Sequence, residues 1–366
     1  MTDDGDDHED TAEDTAEVAN TVEAVKPQDD STYQLTLSTP TELKLLEFLQ
    51  QQNDTIHDLE QQLLFEQSKH MITFQNLKDN ESLLMHYTGL LCKGIFLSLL
   101  TFASNFHIST SSWTVSSISV EDQLLITLMK LRHNFTHLHL ANLYAVSVAC
   151  ITNIISKWID VLHQLLFVGI MQQCGIPTRQ KNMLCVPGCF ETFNGARITL
   201  DCTEIQCAVP RSSMSDQSAT FSHYKQRNTF KALIGVAPNG TITFVSELYP
   251  GSVSDKQIVL HSKVLDQMQP GDLILADKGF LLHDSLPQGV TVNIPPFLTT
   301  QQFSTAQVKE TTRIARARIH VERAIQRIKV FRITSFIPAS YRHKATKIFQ
   351  ACACLVNFQS PIINEM

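Results

Sequence analysis

Leu-Ile-Leu-Ala-Asp, residues 273–277, is a run of four apolar residues ending in a carboxylate, followed at once by Lys278, Gly279 and Phe280. A short, uninterrupted apolar run bounded by turn residues reads as a strand buried on both faces. An unpaired carboxylate at the end of such a strand is costly to desolvate, so it needs a cation or hydrogen-bond partners. The same arrangement occurs upstream, where Arg-Ile-Thr-Leu-Asp (197–201) ends in Asp201. A third acid, Glu322, lies in Arg-Ile-His-Val-Glu-Arg (318–323), inside a long basic helical pattern. One such residue would say little. Three, brought from two strand ends and a helix, point to a site for divalent metal ions.

The flanking pattern supplies a topology. Residues 197–209, 229–237 and 241–248 read as strands, with Pro238-Asn239-Gly240 as the hairpin turn between the last two. Ser254 is placed to cap a helix over 255–268. The apolar strand 273–276 comes next, then a strand over 291–294 that stops at Pro295-Pro296, then a long helix over 305–330. Three strands, a helix, two strands and a helix is the order of a ribonuclease H-like α/β fold, a mixed sheet flanked by helices. In that topology the fourth strand lies parallel beside the first, making Asp201 and Asp277 near neighbours. Along the last helix Ile314, Ala317, Val321, Ala324 or Ile325, and Ile328 form a buried stripe. Glu322 falls at its border, in line with Arg318 and Gln326, so it can face the sheet edge while its neighbours reach for phosphate. Glu204 is an odd number of residues from Asp201, which puts it on the opposite face and outside the triad. Asp255, following Ser254, reads as favouring a helix N-terminus. Lys278 and Lys231 read equally as DNA contacts or as solvated lysines.

Composition bounds the alternatives. At 366 residues and 43% hydrophobic content the chain can build about two domains with full cores. Its nine cysteines include no Cys-x-x-Cys pair, which fits reduced thiols and neither a zinc ribbon nor a disulfide framework. No basic region followed by an apolar stretch opens the chain, and the apolar segment 88–103 is interrupted by Lys93 and too short to span a bilayer, so no membrane role is expected. The net charge of −7 conceals an asymmetry: residues 1–30 hold twelve Asp or Glu and one Lys, leaving +4 on the remainder. Residues 309–347 carry eleven Lys or Arg against Glu310 and Glu322. Such a stripe beside a carboxylate cluster suits a polyanion such as DNA; without the carboxylates it would equally be a solvated helix face.

The rest of the chain divides by pattern. Residues 1–32 are acidic, poor in aromatics and expected to be disordered. Over 41–69, Leu49, Ile56 and Leu63 recur at seven residues with Leu45 and Leu59 between them, a coiled-coil seam interrupted by Gln52 and Glu66. It reads as a dimerisation element or as a single amphipathic helix packed on its own protein. From 120 to 166 three helices follow: Leu124, Leu125, Leu128 and Leu131 on the first, a break at Asn134, then Leu138, Ala141 and Asn142. A tight connection over 145–147 leads to the third, with Val148, Ile151, Ile154, Ile155 and Trp158 on its inner face and Ser147 as its cap. This is the shape of a helix-turn-helix unit, with Ala149, Cys150, Thr152, Asn153, Ser156 and Lys157 on the open side; a small bundle without DNA contact is the alternative. His133, His137 and His139 cluster without an acidic or thiol partner at zinc-ligand spacing.

These motifs resemble a known family. Leu-Asp-Cys-Thr-Glu-Ile (200–205), Tyr-Pro-Gly-Ser-Val-Ser-Asp-Lys (249–256), Gly-Asp-Leu-Ile-Leu-Ala-Asp-Lys-Gly-Phe (271–280), Arg-Ile-His-Val-Glu-Arg-Ala-Ile-Gln-Arg-Ile-Lys (318–329) and Leu-Val-Asn-Phe (355–358) resemble, in order, the DDE superfamily endonucleases of the Harbinger and insertion-sequence-5-like transposase group, DDE transposase 4 type. The resemblance covers about residues 87–363, including the preceding helix-turn-helix. It implies Asp201, Asp277 and Glu322 as both the catalytic and the metal-binding residues of a Mg²⁺- or Mn²⁺-dependent nuclease that cuts and joins transposon ends, acting in the nucleus. Asn153, Lys157, Lys278, Arg318, Arg323, Arg327 and Lys329 are the candidate DNA contacts. The expected organisation is an acidic tail over 1–32, a coiled coil over 41–69 able to make a homo-oligomer, a helix-turn-helix domain over 87–172 and the nuclease domain over 195–360. Some relatives carry an N-terminal Cys-Cys-Cys-His zinc finger, whereas residues 1–86 contain no cysteine. End recognition then falls to the helix-turn-helix, the basic helix or a separate Myb-like partner of the kind related animal elements encode. The alternative is a domesticated, catalytically silent DNA-binding or adaptor protein that keeps the fold.

Overall fold

The computed structural model describes residues 40–69, 72–110, 115, 117–211, 213–294 and 304–363. The expectation of disorder over 1–32 lies outside the described residues. The chain divides into two units, residues 1–65 and residues 66–366.

The first unit contributes helix α1 (Pro40–Lys69), whose bounds match the heptad pattern. Its seam residues Leu45, Leu49, Ile56, Leu59 and Leu63 are each more than half exposed.

The second unit begins with short helices α2 (Phe74–Leu77) and α3 (Glu81–Thr88), then α4 (Lys93–Thr110). Next come α5 (Val120–His133), α6 (His137–Leu143) and α7 (Val148–Leu162), the three helices expected from the pattern. Asn134 ends α5 in the left-handed region at φ 56°, which asparagine tolerates better than most residues, and its amide closes the helix on Lys130 O. Ser147 caps α7 by accepting from the Cys150 amide. Past Leu162 the helix loosens into a π-helical stretch, His163–Gln172. The stretch Val148–Gln172 is long and apolar enough to cross a membrane, and the helices on either side of the break in the segment 88–103 are so only when taken together as a bent pair. More than half of the most apolar window of Val148–Gln172 is buried in this protein, with Trp158, Ile159 and Leu162 fully enclosed.

Helix α8 (Arg179–Met183) leads into an eight-stranded mixed sheet. Its strands are β1 (Ala196–Cys207), β2 (Phe221–Ser222), β3 (Arg227–Val236), β4 (Ile242–Val245), β5 (Tyr249–Pro250), β6 (Leu273–Leu275), β7 (Thr291–Asn293) and β8 (Phe336–Ile337). The main order is β2-β3-β1-β6-β7, with β1 antiparallel to β3 and parallel to β6, and β6 parallel to β7. This is the ribonuclease H-like arrangement. Helix α9 (Met214–Thr220) precedes β2, and α10 (Asp255–His261) follows β5. Helix α10 carries the predicted Ser254 cap, completed by Gln257 as a capping box, but ends seven residues before the expected 268. The chain there turns through Lys263, at φ 59°, into a short 3₁₀ turn. Helix α11 (Thr305–Val330) matches its predicted bounds, and α12 (Ala345–Val356) closes the fold.

The helices before the sheet and the sheet itself share one core. Leu124, Leu128, Trp158 and Leu162 belong to the same buried cluster as Val321, Ala324, Ile328, Phe331 and Phe349. Polar contacts bind the two regions as well. Lys344 Nζ donates to Ser156 and to Asp160 at 2.7 Å, Lys347 donates to Asp160 at 2.7 Å, and His137 lies between Thr152 at 2.8 Å and the Tyr341 hydroxyl at 2.6 Å. The open side of α7 expected from sequence is thus partly taken up by the protein itself. Ala149, Thr152 and Asn153 stay exposed, whereas Ser156 and Lys157 are half-buried.

Candidate active site

The site depends on the register between β1 and β6. Thr199 pairs with Leu275 at the last parallel step, so Asp201 and Asp277, each two residues further on, come level at the same end of the sheet. The register is set upstream by a bulge at Arg197, since Ala196 pairs with Leu273 but Ile198 with Ile274. The bulged Arg197 is fully buried and makes an ion pair with buried Asp272 at 2.7 Å, and its guanidinium also donates to Ile176 O and Gln267 O. Sequence reasoning missed this pair. The available signal was a charge of each sign at the entrance to two apolar strands.

Strand β6 ends at Leu275, and among the described residues β1 meets no further strand on that side until Gln206 pairs with Phe336 of β8. Between these points the edge of β1 is open, and a cleft of about 660 Å³ lies there. Asp201, Asp277 and Glu322 all line it. Asp277 leaves β6 in a turn closed by the Phe280 amide on Asp277 O, and Phe280 and Leu282 bury themselves to anchor that loop. Helix α11 lays Ile314, Ala317, Val321, Ala324, Ile325 and Ile328 against the protein, as the stripe predicts, which leaves Glu322 exposed at its border.

The three acids differ in environment. Asp277 and Glu322 have side chains about half exposed, at 52% and 57%. Asp201 is half-buried, and burial pushes its carboxyl up to about 6, against the pull of Arg318 and the Cys202 amide, with the charges of Asp277 and Glu322 adding to the rise. Arg318 was expected among the outward phosphate contacts. It is buried instead, with its guanidinium 3.3 Å from Asp277 and 4.0 Å from Glu322, and its Nε has no hydrogen-bond partner. Position 318 faces inward because it flanks the buried stripe one residue beyond Ala317.

Two residues set aside from sequence also line the cleft. Glu204 and Asp255 share Lys231 between them, at 3.8 and 3.2 Å. Glu204 is paired across the ladder with Lys231 and lines the same cleft as Asp201, although its odd spacing from Asp201 sets it apart in the sequence. Among the other expected DNA contacts, Arg323 and Lys278 are exposed and Lys329 lines the cleft. Arg327 is otherwise engaged, donating to the carbonyls of Ser360 and Pro361. The histidines 133 and 137 serve as hydrogen-bond partners of His86 O, Thr152 and Tyr341.

A family model described as a DDE superfamily endonuclease matches residues 200–357, and one described as the helix-turn-helix of DDE superfamily endonuclease matches residues 116–167. The chain belongs to the DDE superfamily endonucleases. No curated protein and no solved structure matches it. The family's chemistry implies divalent metal ions, and the donor set in this cleft fits them: three carboxylates offer hard oxygen ligands of the kind Mg²⁺ and Mn²⁺ select. The Arg318 guanidinium already stands as a cation among them. Among the described residues, no three His, Cys, Asp or Glu side chains stand close enough together to enclose an ion as they are.

Proposed function

We propose that the protein is a Mg²⁺- or Mn²⁺-dependent DNA endonuclease of the transposase type, with Asp201, Asp277 and Glu322 as metal ligands and catalytic residues. The observation that carries this is the parallel register that brings Asp201 level with Asp277 beside a cleft that Glu322 also lines. Divalent ions held by these carboxylates would supply Lewis-acid chemistry for a phosphodiester, lowering the pKa of an attacking water or 3′-hydroxyl and offsetting charge on the leaving oxygen. Asp201 and Asp277 supply ligands from adjacent strand ends, and Glu322 supplies one from the helix. The Arg197–Asp272 pair positions the first two by fixing the strands that carry them. Arg318 neutralises part of their mutual repulsion in the absence of metal.

DNA is held, in this reading, by exposed Asn153 and half-buried Lys157 of the helix-turn-helix and by Lys278, Arg323 and Lys329 near the cleft. The limits 87–172 and 195–360 then mark sequence modules joined through one core. The exposed seam residues of α1 pair with a second copy as a coiled coil; a Myb-like partner adds end recognition, and the site of action is the nucleus. The test is cleavage of DNA carrying the cognate terminal repeats with Mn²⁺. The wild-type protein should cut it and Asp277→Asn should not, with its fold intact; cleavage retained in that variant would sink the assignment.

A further inference from the structure

The cleft at the carboxylates continues. Two more follow β1 from it: one of about 230 Å³ takes in Glu204, Ile205 and Gln206, and one of about 570 Å³ takes in residues 206–209 and Arg211. Neighbouring clefts share lining residues, since Glu204, Lys225 and Lys329 border the first two and Gln206 the last two. From Asp201 to Val209 the path is roughly 26 Å long at the usual rise of an extended strand.

Its lining is basic. Lys225, Lys231, Lys329, Arg227, Arg211 and Arg342 border it, and among the described residues the acids lining it beyond the three carboxylates are Glu204 and Asp255, both of which face Lys231. Arg211, Lys225 and Arg227 are exposed. Each end carries an exposed aromatic ring. Tyr224, at the carboxylate end, is 82% exposed with the Lys225 ammonium 4.5 Å from its ring centre, and Phe336, at the far end, is 41% exposed. Cations that follow a backbone together with exposed rings suit unpaired bases, which offer a free π-face; a duplex keeps its bases stacked on each other.

We infer that this groove is a binding track for a single DNA strand leading away from the catalytic carboxylates, with phosphates on Lys225, Arg227 and Arg211 and bases stacked on Tyr224 and Phe336. The inference rests on the nuclease reading for the identity of the polymer.

The test is fluorescence anisotropy of the full chain with a labelled 12-nucleotide single strand and with a duplex of the same sequence, in EDTA so that binding is read without cleavage. Tyr224→Ala should weaken single-strand binding about ten-fold. Arg211→Ala with Arg227→Ala should lower the slope of log K against log salt by about 1.4, or about 0.7 for each phosphate no longer neutralised. Duplex binding should stay within about two-fold of wild type in both, and their thermal midpoints should be unchanged. Unaltered single-strand binding, or equal losses for strand and duplex, would overturn the track. If the variants bind as wild type while Asp277-dependent cleavage stands, the track fails alone. If the variants lose single-strand binding but no Mn²⁺-dependent cleavage is found, the track stands and the nuclease reading fails.

Discussion

Replacing Asp201 by asparagine should make the metal-free protein more stable while abolishing cleavage. Burial raises the Asp201 carboxyl from its ordinary 3.8 to about 6 in the folded chain. Because the folded value lies above the unfolded one, the folded state holds the proton more tightly. Stability is therefore highest below about pH 4 and declines as pH rises through about 6. Above that window the ionised group costs up to about 3 kcal/mol, taking roughly 1.4 kcal/mol for each pKa unit. Asparagine is nearly isosteric, carries no charge, and can keep the bond from the Cys202 amide, which reaches Asp201 Oδ1 at 2.9 Å. At pH 7.5 in EDTA, Asp201→Asn should raise the thermal midpoint by about 5 °C, at roughly 2 °C per kcal/mol for a chain of this size. At pH 4.5, still above the ordinary value of 3.8, the gain should shrink to about a third of that. Thermal unfolding by circular dichroism at the two pH values decides the matter. An unchanged or lower midpoint at pH 7.5 would refute the claim that the fold holds this carboxylate at a cost in stability.

Other consequences follow from the same structure. Cleavage should fall as pH drops through about 6, because Asp201 must be ionised to bind metal, and raising Mn²⁺ should move that inflection to lower pH; a profile insensitive to metal concentration would count against Asp201 as a ligand. Arg197→Met should destabilise the protein by about 3–5 kcal/mol in urea unfolding by stranding buried Asp272, and adding Asp272→Leu should recover much of the loss. Ile56→Asp should dissociate any dimer formed through α1, as read by light scattering, without altering the far larger unit of residues 66–366. Gly251→Ala should destabilise by about 2 kcal/mol or more, because a Cβ there would lie 2.2 Å from Thr229 Oγ1 and 2.8 Å from Thr220 O; a neutral effect in the same unfolding assay would show that these atoms can give way.

Much of this was legible in the sequence because it depends on local periodicity. The bounds of α11, the breaks at Asn134 and Ser147, and the apolar strand ending near Asp277 follow from side-chain period, capping chemistry and the cost of burying a charge. The short end of α10 was not legible, because a left-handed turn at Lys263 breaks a pattern that could have continued as helix. The inward turn of Arg318 was also hidden. A basic stripe shows which residues share a helix, but only the packing angle decides which guanidinium faces three carboxylates and which faces water.

The sequence by itself determined that three carboxylates end or border buried elements, since each apolar run can be read without knowing its neighbours. Only the tertiary structure decided that they share a cleft. That outcome depends on one bulge at Arg197, which sets Thr199 against Leu275, and on β6 stopping where β1 continues. Register and strand length are properties of pairs of segments far apart in the chain, and no single segment carries them.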